Sequence, residues 1–470
     1  MNCRTAELPN CRIESNRKPG WRSACFALAL LVCATPLLAQ EQAANAGAPI
    51  AIRGGKVMTI THGTIPNGVV VMENGKITAA GPAASTPVPA NARVIDATGM
   101  TVYPGIIDAE SHLGLQEIGS DQMTSDLAEP SDEIMPHMHV YDAFHAETEL
   151  IPVTRLNGIT NAVVAPAEAD TLPGQDSFIQ LAGRDRDEMI LVRDIALPVN
   201  VSGQQRRGGG GAGGGGGPRF PSTRMGVASQ LRQTLLDAQD YMRRAANPQA
   251  AAGSDQAGEG QRAHGGSGGG GFHRDLKMEA LIPYLRGERP VILSAQTSNE
   301  VLTAMSIARE FNLKVVLNHM ERADDILDTI AAYKVPVIVG SIWTLPETGD
   351  RYDAEYRLPA ELVKRGVKIA FASYSDTHNA RNLPYAAGYS VAYGLPYEEA
   401  MKALTINPAE MFGVADKLGS LDPGKTANVV IANGDPLDVK TDVKHVFIAG
   451  REIPLVNRQT ELRDEYWPKK

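Results

Sequence analysis

Tyr103-Pro104-Gly105-Ile106-Ile107-Asp108-Ala109-Glu110-Ser111-His112-Leu113-Gly114-Leu115 decides how this chain folds. The apolar run 102–108 is interrupted by a Pro-Gly turn, resumes as Ile106-Ile107 and ends in polar residues. Side chains two apart on a strand share a face, so Glu110 and His112 point the same way at the strand's carboxyl end. A carboxylate and an imidazole held together in that way are candidate metal ligands.

Downstream of this stretch, strands alternate with helices. The runs 158–164, 291–293, 314–317, 335–339 and 367–371 read as strands, with weaker candidates at 178–181 and 195–199. Helical spacing appears at 300–311, through Val301, Ala304, Met305 and Ala308, and again at 324–333. Repeated units of this kind close most naturally as a (β/α)8 TIM-like barrel. A doubly wound open sheet is the alternative, but no Gly-x-Gly-x-x-Gly follows a strand. Barrel enzymes place their chemistry where strands end. Strand 314–317 runs into Asn318-His319, and strand 367–371 into Ser373-Tyr374-Ser375-Asp376-Thr377-His378-Asn379.

The chain resembles the amidohydrolase superfamily, in its imidazolonepropionase-like branch. The first strand is similar to that family's Pro-Gly-x-Ile-Asp-x-His-x-His, with Glu110 in place of the first histidine and His112 in place of the second. Leu418-Gly419-Ser420-Leu421-Asp422-Pro423-Gly424-Lys425-Thr426-Ala427-Asn428 is similar to its Gly-x-Ile-x-Pro-Gly-Lys-x-Ala-Asp stretch, with Asn428 for the aspartate. Thr405-Ile406-Asn407-Pro408-Ala409 matches a structural turn of the family. The resemblance implies a barrel over 104–410, with a small β-sandwich built from both chain ends, 50–103 and 411–455. In the first part, 69–73 and 76–79 form a hairpin around Asn74-Gly75. In the last, 442–450 reads as a closing strand.

The same resemblance maps His319 onto a metal-binding histidine and Asp376 onto an aspartate that contacts metal and accepts a proton from the attacking water. Ser294 and Gln296 stand where relatives carry histidines, and no lysine occurs between Lys76 and Lys277 to bridge two metals. The pattern leaves two readings open. In one, Glu110, His112, His319, Asp376 and His378 form a rebuilt mononuclear site for one divalent metal ion: zinc first, manganese or iron as alternatives. Asp376 is then the catalytic base, and the reaction is hydrolysis of a C–N bond in a cyclic amide or a dipeptide-like, non-standard peptide. In the other, the metal is gone, and the chain is a degenerate binding or partner subunit. The partners implied are a small amide or peptide-like substrate, and a homodimer or an intact paralogue.

The remaining candidates read as ordinary surface or capping groups. His137, His139, Asp142 and His145 belong to a long loop, and His264 and His273 to a glycine-rich insertion. Glu117 reads as a helix-start carboxylate and Asn382 as a cap before Pro384, with Asn379 and Arg381 alongside.

The 470 residues fit one large barrel with an accessory domain, and a formal net charge of −9 speaks against nucleic acid as a partner. Arg17, Lys18 and Arg22 precede the apolar run 24–38, which ends at Ala39. That pattern predicts a signal peptide, 1–39, and export to the periplasm; the run is too short and proline-interrupted for a membrane span. Cys3, Cys11, Cys25 and Cys33 all precede the expected cut, which leaves no thiolate for metal or catalysis. The insertion, 203–274, is glycine-rich at both ends, and its tracts are expected to be disordered. Between them Val227, Leu231, Leu235, Ala238 and Met242 form one apolar stripe, which predicts a helix.

Overall fold

The strand that opens the barrel forms over β6 (Ile106–Ser111), and every residue in it is buried. Ahead of it come β1 (Ile50–Met58), β2 (Thr64–Glu73), β3 (Lys76–Pro82), β4 (Arg93–Asp96) and β5 (Thr101–Pro104). The structure is a computed structural model and describes residues 47–202, 220–246, 273–320, 322–340, 342–345 and 351–467. The expected signal peptide, both glycine tracts and His264 lie outside the described residues. Among the described residues, no helix is long and apolar enough to cross a membrane.

The barrel continues through β7 (Ile159–Val164), β8 (Asp176–Gln180), β9 (Ile190–Asn200), β10 (Val291–Ser294), β11 (Val315–Asn318), β12 (Val337–Val339) and β13 (Ile369–Phe371). These eight strands hydrogen-bond in sequence order, and a parallel bridge between Ser111 and Tyr374 joins the last to the first. The result is a mixed α/β fold around a nearly closed barrel. One strand departs from the regular (β/α)8 pattern: β8 runs antiparallel to both β7 and β9. The chain from 165 to 175 is too short for a helical crossover, which takes about a dozen residues or more, so β8 returns as a hairpin partner instead. Ile107, Val163, Phe178, Ala196, Ile292, Val316, Ile338 and Ala370 fill the lumen, one from each strand.

Strands from the two chain ends meet in a second sheet. β14 (Val429–Ala432), β15 (Val443–Ile448) and β16 (Arg451–Ile453) join β5, β1, β2 and β3 in the order β16-β15-β14-β5-β1-β2-β3, with β4 on β1. The hairpin turn forms as the dipeptide dictates, with Asn74 at φ 51° and Gly75 at φ 76°. The packing makes this sheet continuous with the barrel. Tyr103, Val430 and Val446 of this sheet share one apolar core with Leu197, Leu293 and Leu317 of the barrel.

The helix predicted inside the insertion spans Arg224–Ala246 and buries Val227, Leu231, Leu235 and Ala238. Its last buried contact is Tyr241, one residue before the expected Met242. It packs on the helix Leu276–Leu285, where the Tyr241 hydroxyl donates to Glu279 at 2.9 Å.

Candidate metal centre

Glu110 ends β6 on the inside of the barrel, and Asn318-His319 end β11 beside it. The sixth-strand pair reaches the lumen through a left-handed turn: His319 has φ 66°. Such a conformation is rare outside glycine and costs about 1–3 kcal/mol, so it persists only where the surroundings hold it. A third group arrives from the loop after β7. One oxygen or nitrogen from each of Glu110, Glu168 and His319 lies within 4.8 Å of the other two, the one such grouping of possible metal-binding side chains among the described residues.

Neighbours fix each of these groups. His319 Nε2 stands 3.2 Å from Glu168 Oε2. The Ser294 hydroxyl donates to the other Glu168 oxygen. Asn318 Nδ2 donates to Glu110 Oε2 at 2.8 Å and to Glu168 Oε1 at 3.4 Å. The Tyr374 hydroxyl donates to Asn318 Oδ1, which turns the amide nitrogen toward the carboxylates. The Tyr374 ring stacks on His319 with centroids 4.2 Å apart. That ring can approach because β12 is followed by Gly340, where a Cβ would stand 2.1 Å from the tyrosine ring.

Four carboxyls crowd this end of the lumen. Burial pushes Asp108 up to about 7, against two bonds from Ser373 that pull it down. Burial and then the Glu168 charge raise Glu110. Burial would also raise Glu168, but His319 beside it holds it below the ordinary carboxylate range. Asp176 is fully buried, and neither of its carboxyl oxygens has a hydrogen-bond partner. Burial first, and then the charges of Glu110 and Glu168, raise it well above its usual value. The register Val164↔Ser177 sets Asp176 just past the end of β7, at the end of the barrel that carries Glu110.

A concentration of buried carboxylates with so little positive charge is costly, several kcal/mol per uncompensated ion. A divalent cation would compensate it. The donor set fits one: two carboxylates, oriented by Ser294 and Asn318, and an imidazole held by its stack on Tyr374. His112 lies alongside. Its Nδ1 is 2.8 Å from the Ala165 carbonyl, which leaves Nε2 free of that bond, and burial pulls its pKa down toward the neutral ring a metal requires.

Of the residues singled out in the sequence, Glu110 and His319 come together and His112 stands near them. Asp376 and His378 are not brought there. β13 ends at Phe371, and Tyr374, with φ 48° and its bridge to Ser111, takes the lumen position. The chain then leaves the barrel. Asp376 caps the short helix Thr377–Asn382 and accepts from Asn379 at 3.0 Å, while His378 is exposed. Ser294, unsuited to bind a transition metal, orients Glu168 instead. Glu168 is the site residue that strand patterning misses. It lies four residues beyond the end of β7, a strand the sequence marks plainly, and its signal is that it is the first charged side chain after that strand. The loop histidine His139 forms a pair with Asp194 at 2.7 Å. Glu117 accepts from Thr148 and from the Glu149 amide, which precedes a helix.

Comparison with known proteins points to one family. Residues 295–453 match the model of the amidohydrolase family. The chain is 27% identical over 412 residues to the amidohydrolase tasK of Hapsidospora irregularis, covering 85% of this chain and 41% of that one. An imidazolonepropionase of Picrophilus torridus is 28% identical over 134 residues, 28% of this chain and 32% of its own. The chain thus spans less than half the length of these curated relatives. The crystal structure of an amidohydrolase from Thermotoga maritima MSB8 superposes with a TM-score of 0.75 at 29% identity, covering 87% of this chain and all of that one.

Proposed function

Because this chain belongs to the amidohydrolase superfamily, we propose that it is a metal-dependent hydrolase of C–N bonds in small amides, cyclic amides or dipeptide-like substrates. The observation that carries the proposal is the convergence of Glu110, Glu168 and His319 within 4.8 Å at the strand ends of the barrel. These three residues would hold the cation, with His112 beside them. When bound, a divalent ion there supplies polarisation of the substrate carbonyl and a water whose pKa falls toward about 7.

The chain's own groups do the rest. Glu168 is the proton carrier. Its carboxylate is kept ionised beside His319 and is fixed by Ser294. It takes the proton of the attacking water as the C–O bond forms and returns it to the nitrogen as the C–N bond breaks. Asn318 holds the spacing between the two carboxylates. Export to the periplasm, carried by the basic and apolar pattern of residues 17–39, remains part of the proposal, and cell fractionation tests it. A panel of cyclic amides and dipeptides tests the chemistry. Glu168→Gln should lower kcat by about 10²-fold or more, and a variant with undiminished turnover removes Glu168 from the mechanism.

A second reading, binding without hydrolysis, draws on Tyr374. The aromatic ring takes the lumen position at the end of β13, where the family resemblance implies an aspartate, and covers one face of His319. It predicts metal uptake with no product from any amide in that panel.

A further inference from the structure

At the end of the barrel opposite the metal centre, a cleft of about 850 Å³ opens where β11, β12 and β13 begin. β11 runs from Val315 in this cleft to Asn318 at the centre, so the length of that strand separates the two sites. The volume is that of a small-molecule site, roughly 300–1,000 Å³. Val335, Pro336 and Val367 wall the cleft. Val316 and Met411 carry its apolar lining into the cluster that fills the barrel lumen.

The polar lining is cationic, against the sign of the whole chain. Four basic residues, Lys314, Lys334, Arg365 and Lys368, stand beside one acid, Glu410, in a protein of formal net charge −9. Two of the four are neutralised locally: Arg365 by Asp328 and Glu361, each at 2.6 Å, and Lys368 by Glu410. Lys314 and Lys334 have no acidic partner among the described residues. The register Leu317↔Val337, followed back three residues, matches Lys314 with Lys334 at the heads of two neighbouring strands, and neighbouring strands run about 5 Å apart. Like charges so placed repel, and an anion between them relieves the repulsion. A carboxylate suits two ammonium groups, since each of its oxygens accepts a charge-assisted hydrogen bond.

We propose that this cleft is a second binding site, and that it takes a free organic monoanion of the fatty-acid type. Lys314 and Lys334 hold the carboxylate, and the apolar chain lies along Val335, Pro336 and Val367. The site does not depend on the reading of the barrel mouth, and its test separates the two. Binding of octanoate, acetate, octan-1-ol and octylammonium is measured by calorimetry on the full chain after chelation, in the parent and in His319→Ala. Octanoate should bind with one equivalent per chain, about a hundredfold or more tightly than acetate. Octylammonium should not bind. Added salt should weaken octanoate and leave octan-1-ol unmoved. The double variant Lys314→Gln, Lys334→Gln should melt as the parent does and bind octanoate about fivefold more weakly or worse. His319→Ala should bind it as the parent does.

No binding of octanoate overturns the proposal. Equal affinity for octylammonium does the same, since it leaves an apolar groove without charge selection. Octanoate affinity unchanged in the double variant, or lost in His319→Ala, moves the anion elsewhere and also overturns it. Vesicles of phosphatidylglycerol should not retain the chain; retention by vesicles without binding of free octanoate assigns the lysines to a lipid surface instead.

Discussion

Asn318 sets the order of the barrel mouth. One amide bridges two carboxylates, and the Tyr374 hydroxyl and the His319 backbone amide, both donating to its oxygen, fix which way it points. Removing that hydroxyl leaves the His319 backbone amide, 3.1 Å from Asn318 Oδ1, to hold the orientation alone. Tyr374→Phe should therefore weaken cation binding by about 10–100-fold without unfolding the chain, measured by competition with a chelating dye. His319→Ala removes a ligand outright and should abolish stoichiometric binding in the same assay. Much of this site is legible residue by residue. A strand pattern alone places Glu110, His112 and His319 at one end of the barrel. Asp376 escapes that pattern for a local reason: the left-handed turn at Tyr374 decides which residue after β13 enters the lumen, and nothing in the spelling of Ser373-Tyr374-Ser375-Asp376 announces it.

Elements show the same division. Apolar runs mark six of the eight barrel strands plainly, and β8 and β9 only weakly. The direction of β8 is not marked at all, because an apolar run reads alike both ways. The connection 165–175 is the available signal, being too short for a parallel return. The antiparallel course has a structural consequence that can be tested. The loop before β8 is held to the barrel wall by a bridge from His139 to Gln175 and by the His139–Asp194 pair. The hydrogen bond to Asp194 raises the pKa of His139. A histidine whose folded pKa is raised stabilises the fold fully below its unfolded value, about 6.5, and the contribution is lost as pH rises through the folded value. Stability should therefore decline as pH rises above about 6.5 and through the raised pKa of His139, by more in the parent than in His139→Gln, followed by thermal melts. Parallel pH profiles for the two chains would remove His139 from this role.

For the whole molecule, both chain ends close one sheet against the barrel, so the fold is completed only by residues far apart in sequence. Val430 of β14 pairs with Tyr103 of β5, immediately before the strand that carries Glu110. The end motifs make this arrangement legible, but they cannot show that the sheet shares its core with the barrel. Cation binding at the mouth should be felt throughout such a unit. A ligand that binds only the folded chain adds about 2.7 kcal/mol when its free concentration is about a hundredfold above Kd. Zinc should then raise Tm in the parent and leave His319→Ala unmoved.

The most direct measurement is the metal content of the purified chain, by elemental mass spectrometry after mild dialysis. A metal centre built on Glu110, Glu168 and His319 predicts about one equivalent of zinc, manganese or iron per chain, absent from both His319→Ala and Glu168→Gln. A parent chain that carries no such metal and takes up none on addition would contradict it, and the buried carboxyls at the barrel mouth would then line a binding pocket.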